Sequence, residues 1–259
     1  ARLASLKSGI PHDVPTIAIN RQCSSGLEAI NMAAQLIRTG EAEIAVAGGT
    51  ENMSQVPYMI EYQARFDGLR MGNSTLVDGL TEGLGCPVNR YHMGVTAENV
   101  AERFGVSRKD QDELAFISHQ RASTAASEGR FTNQITEIEV QQRRSDPVTV
   151  SEDEGPRADT TIESLSVLRP VFKKDGTVTA GNASSINDGA AAVVMMSAER
   201  AAALGLKARM KWHTRGVAGV DPAIMGIGPV PAVQKALGKA GMEVGDIDVI
   251  ELNEAFASQ

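Results

Sequence analysis

Two cysteines, one tryptophan, three tyrosines and six phenylalanines are all that 259 residues provide of the side chains that staple or anchor a small protein. Two cysteines in a chain this long do not make a disulfide framework, and they read as belonging to a reducing compartment. With aromatics at 4%, the core has to be built from small and branched aliphatics in closely packed layers. No apolar run approaches the roughly 20 residues that a membrane-spanning helix needs. The net charge of −7 excludes the basic field of a nucleic-acid surface. Only four histidines occur, and no pair of them has metal-ligand spacing.

What is present is an ordinary globular composition, 42% hydrophobic and 22% charged, with 25 glycines. Residues 1–54 alternate strand and helix signals. A β-branched run at 16–20 is expected to be a strand. A helical pattern follows from about Ser24 to Thr39, with Leu27, Ile30, Ala34 and Ile37 on one face and Gly40 as its stop. The continuous apolar run Ile44–Thr50 reads as a strand covered on both faces. From about Gln55 to Gly181 the apolar runs shorten, and 61–91 and 141–166 read as long loops. One helix stands out there, opened by Ser107 and Asp110 at capping-box spacing and continuing to Gly129. Regular structure resumes with a strand at 190–196, a helix capped by Ser197 and ending at Gly205, a helix from Pro229 to Gly241, and a strand at 246–252. The expected domains are 1–54, a loop domain at 55–181, a return at 182–206, and the start of another α/β domain at 207–259. The chain begins at Ala1 and ends at Gln259 inside a new helical pattern, and it reads as a piece of a longer protein.

Cys23 is the residue with a chemical signature. A strand that ends in a tight turn and opens a helix places its sulfur at a helix N-terminus, where unpaired N–H groups and the dipole favour an anion. The thiolate is the nucleophilic form of cysteine, and the small neighbours Ser24, Ser25 and Gly26 allow close approach. Cys86, in Leu84-Gly85-Cys86-Pro87, has no such context and reads as a surface or packing residue. Gly226-Ile227-Gly228-Pro229 lacks the third glycine and the preceding strand of a dinucleotide fingerprint, so a Rossmann site is rejected. His12, His119 and His213 have no motif around them and are assigned no chemistry.

Four segments together resemble the thiolase family, enzymes that make or cleave 3-ketoacyl-CoA: NRQCSSGL around Cys23, YHMG at 91–94, GNAS at 181–184 and NEAFA at 253–257, with AGGTENMS at 47–54 in support. The likeness runs over essentially the whole chain. It implies the layered αβαβα thiolase fold: an N-terminal α/β domain, a loop domain inserted over the active site, and a C-terminal α/β domain cut short. It implies Cys23 as the acyl-accepting nucleophile, its N–H as one oxyanion donor, and Asn253 as the residue that positions a water at the other oxyanion site. His92 and Met93 would line the acyl pocket. Ala180 and Ser184 would contact the pantetheine arm, Arg157 and Ser164 the adenine end, and Phe256 the substrate tunnel. Arg169, Lys173 and Lys174 are further candidates for meeting the negative charge of CoA.

No cofactor is implied beyond CoA thioesters as substrates, and neither nucleic acid nor membrane is expected as a partner. Family members are dimers or tetramers, so a homotetramer or homodimer is expected of the full-length protein, in the cytoplasm. His92 and Met93 favour condensation of two acetyl-CoA, whereas the spelling NRQCSSGL is closer to broad-range degradative 3-ketoacyl-CoA thiolases. A malonyl-dependent ketoacyl synthase and a non-catalytic acyl-CoA- or lipid-binding protein are the rivals. The family's Gly-His-Pro and Cys-x-Gly segments, which supply the histidine and the acid/base cysteine, follow NEAFA and do not occur here, so this stretch alone is expected to be inactive.

Overall fold

A computed structural model describes residues 1–259. In chain order the elements are α1 (Arg2–Lys7), α2 (Ser25–Thr39), β1 (Ile44–Asn52), β2 (Tyr58–Ile60), α3 (Gln63–Asp67), β3 (Leu76–Asp78), α4 (Gly79–Gly83), α5 (Met93–Phe104), α6 (Arg108–Ser127), β4 (Ile138–Val140), β5 (Val148–Val150), α7 (Ile162–Ser166), β6 (Asp188–Met196), α8 (Ala198–Ala203) and α9 (Pro229–Ala240). None of the helices is long and apolar enough to cross a membrane. The chain divides into two compact units, one of residues 1–55 with 187–215 and the other of 56–186 with 216–259.

In the first unit β1 and β6 pair antiparallel over nine residues, from Ile44 opposite Met196 to Asn52 opposite Asp188. Helix α2 packs on β1 through glycines: a Cβ on Gly49 would stand 3.1 Å from the Gly26 Cα, so the two backbones approach with nothing between them. The buried Asn31 of α2 accepts the Trp212 indole N–H at 3.0 Å, which satisfies both partners. Gly40 ends α2 in the left-handed conformation at φ 78°, as its position after the last apolar residue predicts. At the far end of the sheet, the Asp188 carboxylate accepts the Ser54 amide at 3.0 Å and the Ser54 hydroxyl at 2.5 Å.

In the second unit the helix starts are set by side chains. Ser107 and Asp110 close the capping box of α6, Asp78 caps α4, and Thr161 with Ser164 closes the box of α7. The polar centre of this unit is Glu98 of α5, which is 4% exposed. Its carboxylate accepts the Thr177 N–H at 2.9 and 2.8 Å, the Thr177 hydroxyl at 2.9 Å and the Val178 N–H at 2.8 Å. Gln111 of α6 donates to the same Thr177 hydroxyl at 2.9 Å. Asn182 donates to Asp112 at 2.9 Å and to the Thr177 carbonyl at 3.0 Å, and Asp112 also holds Arg108 at 2.7 Å. Helices α5 and α6 are thereby fixed to one turn of chain at 177–182.

Two expected strands are not formed. Residues 16–20 are extended without a ladder, and 247–252 follow a 3-10 turn at Val244–Asp246 and pair with nothing. The apolar residues there, Ile17, Val249 and Ile250, are exposed. The expectations that 44–50 is covered on both faces and that 190–196 is a buried strand are also corrected: Val46 is 56% and Val194 64% exposed, because the sheet has two strands. Strand preference describes fit to a pleated, half-buried surface, and it forms no strand where no edge is offered. The stretches read as loops contain β3 and β5, which close hairpins with β2 and β4, and three short helices.

Glu98→Ala leaves two buried N–H groups without acceptors, and urea unfolding is expected to register a loss of about 3 kcal/mol or more. Glu98→Gln keeps an acceptor oxygen and costs less. The Ser54 hydroxyl, then its amide, holds the Asp188 carboxyl below its ordinary pKa. A depressed folded-state value means stability that is present above the unfolded value of about 3.9 and is lost as pH falls through the lower folded value. The stability gap between the parent and Asp188→Asn should therefore be open at pH 7 and shrink as unfolding is repeated at pH values falling below about 3.9.

Candidate active site

Cys23 is exposed and lies just ahead of α2, whose N-cap is Ser24. The turn that places it is tied by side chains: the Gln22 amide donates to Asn20 Oδ1 at 2.8 Å, the Arg21 amide to Ser25 Oγ at 2.8 Å, and Ser25 Oγ to the Gln22 carbonyl at 2.7 Å. Gln22 takes a left-handed φ of 49°, a conformation non-glycine residues adopt mainly where surroundings impose it. The amides of Ser24 and Ser25 close back on Arg21 and Gln22 at 3.1 and 3.0 Å. The Cys23 amide takes part in none of these bonds, so the turn presents both the sulfur and an uncommitted N–H.

The second unit carries the other motifs. YHMG follows a tight loop clasped around Cys86, whose N–H donates to the Tyr91 carbonyl at 2.7 Å while the Arg90 N–H donates to the Cys86 carbonyl at 2.8 Å. Cys86 is buried and accepts the Asn89 amide on its sulfur at 3.4 Å, so packing, not surface, is its role. His92 is the N-cap of α5, its Nδ1 accepting the Gly94 N–H at 3.0 Å. Its ring stacks on Phe172, centroids 4.6 Å apart and planes 14° from parallel, and burial lowers its pKa from the usual histidine value. Met93 opens α5, half-buried, with its N–H on the Leu84 carbonyl at 2.9 Å.

GNAS and NEAFA are joined backbone to backbone. Ala183 bridges Phe256, the Ser184 N–H donates to the Ala255 carbonyl and the Ala257 N–H to the Asn182 carbonyl, both at 2.9 Å. Phe256 meets Phe172 edge-on at 6.1 Å, so one phenylalanine touches residues of both YHMG and NEAFA. Ala180 and Ser184 are exposed on this assembly. A Cβ on Gly181 would come within 2.6 Å of the terminal methyls of Leu165 and Leu168, so a side chain there would require both leucines to shift. Asn253 is exposed, and its carbonyl accepts from Gln259 at 3.3 Å. Its neighbour Glu254 accepts the Ser118 hydroxyl at 2.7 Å.

Arg157 is exposed, and its N–H donates to His119 Nδ1 at 3.1 Å. His119, assigned no chemistry from sequence, therefore holds the loop that carries Arg157. The Ser164 hydroxyl accepts from the Thr161 amide and donates to the Thr161 carbonyl at 2.8 Å, so its proton is committed to the start of α7. Phe172 and Glu98 were not singled out by sequence, and Gly94 only as the end of YHMG. The only signal for Phe172 was its rarity, as one of six phenylalanines. No three His, Cys, Asp or Glu side chains converge in a manner that could hold a metal ion. A groove of about 780 Å³ runs along α6, lined by Leu114, Ile117, Ser118, Arg121, Phe131 and Glu254 among others, and holds none of the expected site residues.

Residues 1–199 match the family model "Thiolase, N-terminal domain" and 206–259 match "Thiolase, C-terminal domain". The chain belongs to the thiolase family. Over its whole length it is 54% identical to the acetyl-CoA acetyltransferase of Pseudomonas aeruginosa and 51% identical to a probable acetyl-CoA acyltransferase of Staphylococcus epidermidis, covering 66% of each. It thus spans about two thirds of the length of these relatives. Among solved structures it is similar to the Bacillus anthracis acetyl-CoA acetyltransferase, with a TM-score of 0.95 and 46% identity over 100% of this chain and 65% of that one. The human mitochondrial 3-ketoacyl-CoA thiolase matches with a TM-score of 0.94 and 43% identity over the same shares. These likenesses give this thiolase chain the family's α/β fold.

In α5, a Cβ on Gly94 would fall within the Phe172 ring. Gly94→Ala is expected to lose about 1–3 kcal/mol by overpacking, more than the helix gains from alanine. In thermal melts the Gly94→Ala, Phe172→Ala double variant should fall well short of the summed losses, because removing the ring removes the collision.

Proposed function

We propose that the complete protein transfers acyl groups between CoA thioesters through an acyl-cysteine at Cys23, condensing two acetyl-CoA to acetoacetyl-CoA or running the reverse thiolysis. The observation that carries this reading is the turn at Cys23: an exposed thiol ahead of a helix N-terminus, with its own N–H uncommitted. The Cys23 thiolate adds to the thioester carbonyl, the tetrahedral oxyanion is met by the Cys23 N–H, and the C–S bond to CoA breaks to leave acetyl-cysteine and CoA thiolate. A second acetyl-CoA then loses an α-proton to a base, and its carbanion attacks the acetyl group and expels the cysteine thiolate. Asn253 would hold a water that meets the thioester oxygen of this second substrate. His92, Met93 and Phe256 would contact the acyl end, Ala180 and Ser184 the pantetheine, and Arg157 the nucleotide. Ser164 would serve that end through the start of α7, since its hydroxyl proton is committed there. The proton-transfer residues belong to the Gly-His-Pro and Cys-x-Gly segments of the complete protein, which we propose to be a cytoplasmic homodimer or homotetramer.

The names of the similar acetyl-CoA acetyltransferases support the short acyl chain. A broad-range degradative reading has support as well, from the likeness to a 3-ketoacyl-CoA thiolase, which was also solved in complex with CoA, and from the NRQCSSGL spelling.

Incubation of the complete protein with acetyl-CoA should add the mass of one acetyl group, localised to Cys23 by peptide mapping. Cys23→Ala should abolish labelling and lower turnover by on the order of 10⁴-fold or more. An unlabelled protein that still binds acetyl-CoA would instead identify an acyl-CoA-binding protein, and a label on another residue would refute the mechanism. Rates across 3-ketoacyl-CoA chain lengths separate the short-chain from the broad-range reading.

A further inference from the structure

We propose that Phe172 is a positioning residue for His92: with the Gly94 amide it fixes the imidazole as the Nε2–H tautomer, so that His92 offers a single, uncharged, oriented hydrogen-bond donor to a carbonyl oxygen of an acyl thioester. The choice of acceptor rests on the acyl-transfer reading above; the positioning role does not.

Three observations converge on this ring. An Nδ1 that accepts the Gly94 N–H at 3.0 Å carries no proton of its own, so the proton of the neutral imidazole resides on Nε2, which has no acceptor within the protein. Rotation of the ring by half a turn would lose the N-cap bond and leave the Gly94 N–H without a partner at the start of α5. Phe172 covers one face of the imidazole at 4.6 Å and is itself held on two other sides. Its edge contact with Phe256 lies at 6.1 Å, and it fills the space where a side chain on residue 94 would stand. A ring so confined cannot slide without disturbing two motifs at once. Covering the imidazole face also removes water from it and favours the neutral form, in the direction the burial of His92 already indicates.

A neutral donor has a chemical consequence. It can polarise or orient a thioester or amide carbonyl without attracting the phosphates of CoA, which a positively charged imidazolium beside the acyl site would do. This separates the task of His92 from that of Arg157, which is always charged.

The test is a long-range proton–nitrogen correlation spectrum of the histidine rings at neutral pH, with His12, His119 and His213 as internal references. In the parent, His92 should show the Nε2–H pattern alone. In Phe172→Leu the ratio of that tautomer to all other states of His92 should fall by about 2- to 10-fold, the factor an aromatic pair is worth. Phe172→Tyr, which keeps the ring, should restore it. Phe172→Met repeats the measurement with a side chain that fills irregular space, should leucine fail to fold. An unchanged His119 signal, whose Nδ1 is held by the Arg157 amide, reports an intact second unit. A His92 pattern that is the same in the parent and in a folded Phe172→Leu or Phe172→Met overturns the positioning role. Added acetyl-CoA should shift the parent's Nε2. A pure Nε2–H pattern that acetyl-CoA leaves unmoved removes His92 from the substrate and overturns the carbonyl assignment, while Phe172 keeps its role.

Discussion

A buried carboxyl group, held by hydrogen bonds to the main chain, governs the second unit. Four hydrogen bonds from Thr177 and Val178 replace the water that the Glu98 carboxyl group has lost. Two of the donors are backbone amides, so the interaction dictates the path of the main chain and not merely a side-chain contact. The same residue, Thr177, is gripped by Gln111 through its hydroxyl and by Asn182 through its carbonyl. A glycine is needed at 176, because a Cβ there would meet the Glu98 carboxyl carbon at 2.8 Å. One turn of chain is thus over-determined from three sides, and it leads directly into GNAS.

From that turn the geometry of the motifs follows. Asn182 is both a network member and the second residue of GNAS, and its carbonyl accepts the amide of Ala257. The path of NEAFA is therefore inherited from GNAS, and that of GNAS from Glu98. Ser258, just after NEAFA, closes the circuit by donating to the Ala97 carbonyl next to Glu98 at 2.9 Å. Phe172 and Phe256 extend the same order to His92. Rigid support of this kind is what exposed groups such as Ala180, Ser184 and Asn253 require if they are to bind a flexible thioester, since the supporting bonds, not the contacting residues, keep the geometry.

What was legible in the sequence was what depends on neighbours in the chain. Helices α2, α6, α8 and α9 begin and end where Ser, Pro and Gly say they should, because capping is settled within four residues. The expected strands at 16–20 and 246–252 failed because a ladder needs an edge that composition cannot supply. The motif resemblance located the family, and Cys23 lies just ahead of a helix start as expected, whereas helix α5, which His92 caps, was not expected from the sequence. Glu98 and Phe172 escaped notice because their partners lie about 80 residues away and no local pattern marks them. At Ser164, which the resemblance places at the adenine end, the hydroxyl proton goes to the carbonyl of Thr161, three residues earlier.

The turn at Cys23 is built on the opposite principle from the Glu98 network. There, nearly every polar atom is consumed. Around Cys23 the side chains of Asn20 and Ser25 satisfy the amides of Gln22 and Arg21, Gln22 accepts a left-handed conformation, and the result is that the sulfur and one N–H are left over. Backbone strain and local side-chain bonds of this sort persist only when the surroundings hold them, and they concentrate where a reactive group has to be presented. For the proposed acyl transfer the two atoms left over would be the two required: a nucleophile, and a donor for the oxygen whose charge grows as that nucleophile attacks. A cysteine retained only for packing has no use for either. Cys86, buried and accepting from Asn89, shows what such a cysteine looks like in the same chain.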